Sequence, residues 1–420
     1  MNTNPRKKRI LLIAPQPFFL NRGTPINVRA VAETLGKLSY EVDLLVFAQG
    51  EALEIPGVRI IRALSVPGVR RVPIGPSWTK VFLDMGLFIS ALNLAYRHKY
   101  DLYHGIEEGA FLACFLAKIS RAKFIFDMDS CMTTQLQDST FLPFAGALKL
   151  FSWFETRALR AADAVLTVCE SLSIKAKELA PNASVFQIED FPLDGATSIQ
   201  TNRISELRAM WNPNKRPLLL YTGNLESYQG IELLLRAFAQ TLKRPNYHSL
   251  NPLLLVVGGE RRQIQAYQEL CQETGIQSHV IFSGAQPAED MGNYMALADI
   301  LVSPRLHGSN TPLKLYSYMA ARRPIVATHI ASHTQVLSAE SAYLAAPSID
   351  DLAVALGAAL EQNPEAQAAR QRRVDSAHAL IRTKYNKAIF AQKIEALYAT
   401  LLGSPASQIP DLSQGKLHGI

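Results

Sequence analysis

Short apolar runs alternate along this chain with longer segments whose apolar residues return every third or fourth position. That rhythm predicts buried strands separated by amphipathic helices. Ile10–Ala14 reads as a first strand. A loop from Pro15 to Thr24 contains Gly23, and helical spacing follows at Val28, Val31, Ala32 and Leu35. Val42–Phe47 is then a second strand. Strand, loop, helix and strand in that order form the unit of a parallel sheet with helices on both faces. Further strands are predicted at Val58–Ile61, Leu102–His104, Lys123–Phe126, Ala164–Val168 and Val185–Ile188. A long amphipathic helix over Trp78–Tyr96 carries Phe82, Leu83, Leu87, Phe88, Leu92 and Leu94.

The rhythm lapses over 189–216, a largely polar stretch closed by Asn212-Pro-Asn-Lys-Arg-Pro217. It restarts with strands at Leu218–Thr222, Leu253–Val257 and Val280–Phe282, and with helices at Ile231–Leu242, near Ile264–Gly275 and near Ala288–Ala298. The expectation is an α/β protein of two doubly wound parallel-sheet domains facing a cleft. The first covers residues 1–190, a linker 191–216, and the second 217–385. A C-terminal helix over 386–404 is expected to pack across the domains, and a polar tail over 405–420 to be disordered.

One stretch concentrates chemistry. A strand ending at Val302 runs into Ser303-Pro-Arg-Leu-His-Gly-Ser-Asn-Thr-Pro-Leu-Lys-Leu-Tyr, and Pro324–Thr328 reads as the next strand. Asn310 or Thr311 is expected to cap the intervening helix, with Pro312 at its first position. A helix start aims unpaired amides and a positive dipole end at one spot, which suits a phosphate. Arg305 and Lys314 bracket that spot.

Composition narrows the partners. The chain has 420 residues, 48 % of them apolar, and a net charge of +7. Residues 1–190 hold 22 basic and 18 acidic side chains and the remainder 21 and 18, so the excess is spread as +4 and +3. No half looks like a nucleic-acid arm. Nucleotide phosphates or an anionic membrane surface fit the balance equally. Cys114, Cys131, Cys169 and Cys271 form no Cys-x-x-Cys pair, which argues for a reducing, cytoplasmic setting and against a zinc site. The basic start followed by Ile10 to Leu20 reads as a first strand rather than a leader, because Pro15, Gln16 and Pro17 interrupt it. No uninterrupted apolar stretch of about 20 residues predicts a membrane span.

Motifs in the second half resemble the group 1 domain of the retaining glycosyltransferases of family 4. They are Tyr221-Thr-Gly-Asn-Leu225 with Gln229-Gly-Ile-Glu-Leu-Leu234, Val256-Val-Gly-Gly-Glu260, Phe282-Ser-Gly284, Ala298-Asp-Ile300, and Thr311-Pro-Leu-Lys-Leu-Tyr-Ser-Tyr-Met-Ala-Ala running to Pro324-Ile-Val-Ala. In the first half, Asn21-Arg-Gly-Thr24 and Asp101-Leu-Tyr-His104 are similar to the family's glycine loop and Asp-x-x-His strand. The resemblance covers about residues 9–400. It implies a GT-B fold, two Rossmann-like domains, with a UDP- or GDP-sugar donor held mainly by the second and a glycan or lipid-linked acceptor by the first. Gly23, Gly223, Asn224, Gly258, Ser309, Asn310, Thr311 and Leu313 are the implied donor-binding positions.

Departures from the family pattern fall at the site itself. Ser309 and Ser317 stand where the family has two glutamates. Asn224 and Gln229 stand at its diphosphate-binding Arg and Lys, and Asp127-Met-Asp129 replaces a loop histidine. Arg305 and Lys314 are expected to supply the missing positive charge and to stabilise the departing diphosphate. His104, Asp127 and Asp129 are candidates for facing the acceptor or the sugar, and His307 for reaching the sugar. Each has an ordinary structural reading beside it. Asp127 and Asp129 resemble a metal-binding pair, but the family's chemistry uses no metal or other cofactor. The helix Trp78–Tyr96 serves either the core or a peripheral contact with the inner face of the cell membrane. A catalytically silent nucleotide-sugar binder and a GT-B epimerase are the alternative functions.

Overall fold

The computed structural model describes residues 6–19, 23–38, 40–69, 72, 77–137, 145–193 and 199–403. The expected tail at 405–420 and the loop residues Asn21 and Arg22 lie outside them. The chain divides into two compact units. One comprises residues 1–166, 176–186 and 391–420, and the other 167–175 and 187–390.

The first unit is built on a seven-stranded sheet. Its strands are β1 (Arg9–Ala14), β2 (Glu41–Val46), β3 (Val58–Arg62), β4 (Leu102–Ile106), β5 (Lys123–Met128), β6 (Ala164–Thr167) and β7 (Val185–Gln187), in the spatial order β3-β2-β1-β4-β5-β6-β7. β1 pairs in parallel with both β2 and β4, with Leu12 beside Leu44 on one side and His104 on the other. Ile10 to Ala14 are fully buried, as a central strand with helices on both faces requires.

The second unit holds β8 (Leu218–Thr222), β9 (Leu253–Val257), β10 (Val280–Gly284), β11 (Ile300–Ser303), β12 (Ile325–Thr328) and β13 (Tyr343–Ala345), ordered β10-β9-β8-β11-β12-β13. Its strands are apolar on both faces because two separate cores need them. Leu219 and Tyr221 pack with Leu234, Phe238 and Leu356 on one side. Leu218 and Leu220 pack with Tyr316, Met319 and Ile381 on the other. The two-residue period of a strand divides one run of side chains between these cores. β13 has three residues, too few to show a period in the sequence.

The stretch expected to be a linker contains a helix, Thr201–Trp211, within the second unit. Leu207 is fully buried and the Trp211 indole donates to the Tyr294 hydroxyl at 3.2 Å, so this segment is packed against the second core.

Both sheets reverse their winding beside the central strand, between β1 and β4 in one unit and β8 and β11 in the other. Loops at the carboxyl ends of those two strands diverge and leave a crevice, where open α/β sheets bind ligands. Among the described residues no helix is long and apolar enough to cross a membrane.

Candidate functional site

In the second unit, the crevice is bordered by Gly223 and Asn224 after β8 and by residues 304–312 after β11. Gly223 has φ +139°, a backbone state closed to side chains, and a Cβ there would come within 2.9 Å of the Lys314 ammonium. Gly258, after β9, has φ +120° and lies directly against it; a Cβ at 258 would sit 2.0 Å from the Gly223 carbonyl oxygen. Glycine at both positions lets the two strand ends close up beneath Lys314.

The helix following β11 runs Leu313–Ala320, one residue later than the sequence suggests, with Pro312 as its cap. Neither Asn310 nor Thr311 caps it through a side chain. The Asn310 amide oxygen instead accepts from the Arg305 guanidinium, and the Thr311 hydroxyl oxygen is buried without a partner. Among the described residues no side chain caps the amides of Leu313 and Lys314 at the helix start. Leu313 is partly buried beside them.

Lys314 is partly buried. Its ammonium donates to the Gln229 amide oxygen at 3.2 Å and lies 4.1 Å from the centre of the Tyr221 ring. The charge thus stands at the side chain of Gln229, the position left neutral by this sequence. Loss of water around the ammonium, and then repulsion from Arg305, lower the Lys314 pKa to about 7. No carboxylate opposes that shift. Among the described residues, neither Lys314 nor Arg305 has an acidic side chain within ion-pair distance.

Arg305 has a different posture. Its guanidinium folds back into its own loop, donating to the carbonyls of His307 at 2.8 Å and Asn310 at 3.2 Å, and lies 5.2 Å from the Tyr228 ring centre. It braces the loop as well as charging it. Burial lowers its pKa.

Beneath the loop lies a support that the sequence did not announce. His333 is fully buried, its Nε2 3.1 Å from the Ser303 hydroxyl and its Nδ1 2.8 Å from the Thr328 carbonyl oxygen. Thr328 in turn donates to the Arg305 carbonyl. Burial first, against the ring's bond to the Thr328 carbonyl that works the other way, lowers the His333 pKa to about 4, so the ring stays neutral. The Ser309 carbonyl accepts from Gln335 at 3.0 Å. Ser309 and Asn224 are exposed, His307 is exposed beside Tyr228, and Ser317 is buried with its hydroxyl accepting from the Leu193 amide at 3.4 Å.

The first unit gathers its candidates at the ends of β1, β4 and β5. His104 is fully buried, with Nε2 3.0 Å from Asp127 and Nδ1 hydrogen-bonded to the Tyr398 hydroxyl. Asp127 is 1 % exposed. The two hold each other below the surface of the crevice rather than lining it. Asp129 is buried and accepts from Asn27 at 3.5 Å, and Gly23 opens the same helix, Gly23–Gly36. Glu107, just after β4, belongs to this group. It has φ +48°, accepts from Ser130 at 2.8 Å and Gln16 at 3.3 Å, and burial followed by repulsion from Glu108 raises its pKa. Glu155, fully buried, accepts from the amides of Met132 and Thr133 and fixes the turn after β5. Its position within a helix gave no sign of that contact.

Comparison with known proteins bears on the family and the fold. Residues 216–362 match the family model described as glycosyl transferases group 1, and residues 22–180 match the glycosyl transferase 4-like domain. An α-D-kanosaminyltransferase of Streptomyces kanamyceticus is 22 % identical over 59 % of this chain, a match spanning 62 % of the relative, so less than two thirds of that protein is covered. An uncharacterised glycosyltransferase of Methanocaldococcus jannaschii is 23 % identical over 76 % of this chain and 79 % of its own length. Among solved structures, sucrose-phosphate synthase from Thermosynechococcus elongatus superposes with a TM-score of 0.76, at 19 % identity, over 95 % of this chain and all of that one. Anabaena HepE in complex with UDP-glucose gives 0.72 at 14 % identity, over 94 % of this chain and all of that one. The two family models together span most of both sheets and the loops that carry the candidate site, and the chain belongs to the group 1 glycosyltransferases of GT-B fold.

Proposed function

We propose that this glycosyltransferase moves a sugar from a UDP- or GDP-sugar to a glycan or lipid-linked acceptor with retention of configuration, and that the donor diphosphate binds at the start of the helix Leu313–Ala320. The observation that carries the proposal is the Lys314 ammonium, held beside Arg305 and two helix-start amides without a counter-charge. An anion at that point relieves the repulsion and restores the lysine's charge. The UDP-glucose complex of HepE is a neighbour in fold that favours the same donor class.

In the reaction, the bond between the sugar's anomeric carbon and the phosphate oxygen breaks, and its electron pair leaves with the diphosphate. The acceptor hydroxyl bonds to that carbon from the side the phosphate leaves, and its proton passes to a phosphate oxygen. Lys314 and the amides of Leu313 and Lys314 stabilise the charge growing on the leaving group. Arg305 holds their loop in place. No side chain is assigned as a nucleophile. Incubating the protein with a panel of nucleotide-sugars tests this, because a transferase releases nucleoside diphosphate slowly even without acceptor. Binding with no release from any donor would instead support a silent binder, the reading that Ser309 and Ser317 favour.

The acceptor side of the proposal includes a peripheral membrane contact at the inner face of the cell membrane. The helix Trp78–Arg97 has two apolar faces. Leu83, Leu87 and Leu94 are buried, whereas Trp78, Phe82, Met85 and Ile89 point outward at 50–68 % exposure. Phe115 and Ile119 of the helix Gly109–Ser120 add to the exposed set. An apolar patch of this kind on a basic protein suits a lipid surface. Phe82→Ser with Ile89→Ser should abolish sedimentation with anionic vesicles while leaving the melting temperature unchanged; vesicle binding equal to wild type would remove this face from the proposal.

A further inference from the structure

We infer that the second unit carries another anion-binding site, at the edge of its sheet opposite the donor loops, which takes a small soluble phosphorylated ligand. A cavity of about 540 Å³ opens there, within the size range of small-molecule sites. It lies at the amino ends of β8, β11 and β12, marked by Pro217, Asp299 and Pro324. Lys215, Arg322, Arg323 and Arg370 all line it, against the single carboxylate of Asp299. That carboxylate already accepts from the Leu218 amide at 2.8 Å. Among the described residues none of the four cations forms an ion pair, so the cavity concentrates positive charge that the protein itself does not neutralise.

The other unit supplies the contrast. A cavity of about 440 Å³ at the amino ends of its strands is lined by Lys118, Arg121 and Lys123 with Asp101 and Asp163. There the carboxylates are matched. Lys123 lies 2.7 Å from Asp163, and Arg6 and Lys8 lie 2.6 and 3.4 Å from Asp101. The second unit's lining thus holds four cations to one carboxylate and none of those cations is ion-paired among the described residues, whereas the first unit's holds three to two and both of its carboxylates are in ion pairs.

Two of its arginines are also anchored. Arg323 donates to the Ala296 carbonyl at 2.6 Å and Arg370 to the Ala359 carbonyl at 2.7 Å, each through one nitrogen, leaving other N–H groups for a ligand. Lys215 and Arg322 are exposed at the rim and hold φ +52° and +55°, a backbone state that ordinarily favours glycine or asparagine. Side-chain amides of Gln362, Gln367 and Gln371 complete a lining suited to phosphate oxygens and hydroxyls. The site shares one element with the donor loop: the helix Leu313–Ala320 carries Lys314 in its first turn and ends two residues before Arg322.

Calorimetric titration of the full chain with inorganic pyrophosphate tests the inference independently of the proposed donor site. Wild type should bind two equivalents. Lys314→Ala should lose the donor equivalent and keep the other. Lys215→Gln combined with Arg322→Gln, both exposed positions, should keep the donor equivalent and weaken the other about ten- to hundredfold, at an unchanged melting temperature. One equivalent in wild type that disappears in Lys314→Ala would overturn the inference and leave the donor proposal standing. One equivalent that disappears only in the double variant would sustain it and remove the donor proposal. A second arm with phosphatidylglycerol vesicles distinguishes a lipid headgroup. Vesicle binding lost in the double variant, with no pyrophosphate bound at this cavity, would overturn the soluble ligand.

Discussion

Replacing Lys314 by methionine removes a charge while keeping most of the side chain's bulk. In the free protein the Lys314 pKa falls from its ordinary 10.5 to about 7. The folded state therefore binds fewer protons than the unfolded state between those values. Stability from this group rises with pH across that window and is lowest below pH 7, where both states are charged. The shift corresponds to at most about 5 kcal/mol of unfavourable charge burial, and to less because the ammonium keeps some solvent access. The methionine variant should thus melt at the same temperature or higher at pH 6 without ligand. Donor binding should respond oppositely. A charged contact to the diphosphate is worth roughly 1.5–3 kcal/mol, so the variant should bind UDP-glucose about ten- to hundredfold more weakly at pH 6. In wild type the lysine must regain its proton on binding, and affinity should fall by up to about tenfold per pH unit above 7. UDP-glucose suits the assay because its diphosphate does not titrate there. Calorimetry from pH 6 to 9, with melting curves on the same samples, measures both. Equal affinity in variant and wild type, or the same pH slope in both, would refute this account of Lys314.

Three other outcomes are expected. His333 has a pKa of about 4 against an ordinary 6.5, so its contribution to stability is complete above pH 6.5 and lost as pH falls toward 4; His333→Asn should flatten the acid limb of urea-unfolding curves, and an unchanged limb would count against the buried neutral ring. Gly258→Ala should cost about 1–3 kcal/mol, because its positive φ and its contact with the Gly223 carbonyl leave no place for a methyl group, and it should weaken donor binding by displacing Gly223; full stability with unaltered affinity would contradict that packing. Sugar transfer should persist in EDTA, since Lys314 and Arg305 supply the cationic charge at the diphosphate, whereas complete loss restored by Mn²⁺ would transfer that role to a metal.

Much of this protein was determined by local pattern. Central strands such as Ile10–Ala14 and Leu218–Thr222 are buried on both faces, so their continuous apolar runs mark them without reference to anything distant. The family motifs and the two candidate cations were likewise legible, because strand, glycine turn and helix start are consecutive in the chain. The helix Thr201–Trp211 was hidden, since only Leu207 among its residues is fully buried and a helix so sparsely apolar looks like a linker. Contacts between remote segments were beyond the sequence. Tyr398 reaches His104 across 294 positions, and Lys314 reaches Gln229 across 85. His104 looked like a polar residue available to the crevice, and tertiary packing enclosed it with Asp127. Lys314 was legible as a cation at a helix start, but only packing set its ammonium over Tyr221 beside Arg305. Side-chain type fixes what a residue is able to do, whereas its charge state and its exposure depend on neighbours that only the fold brings together.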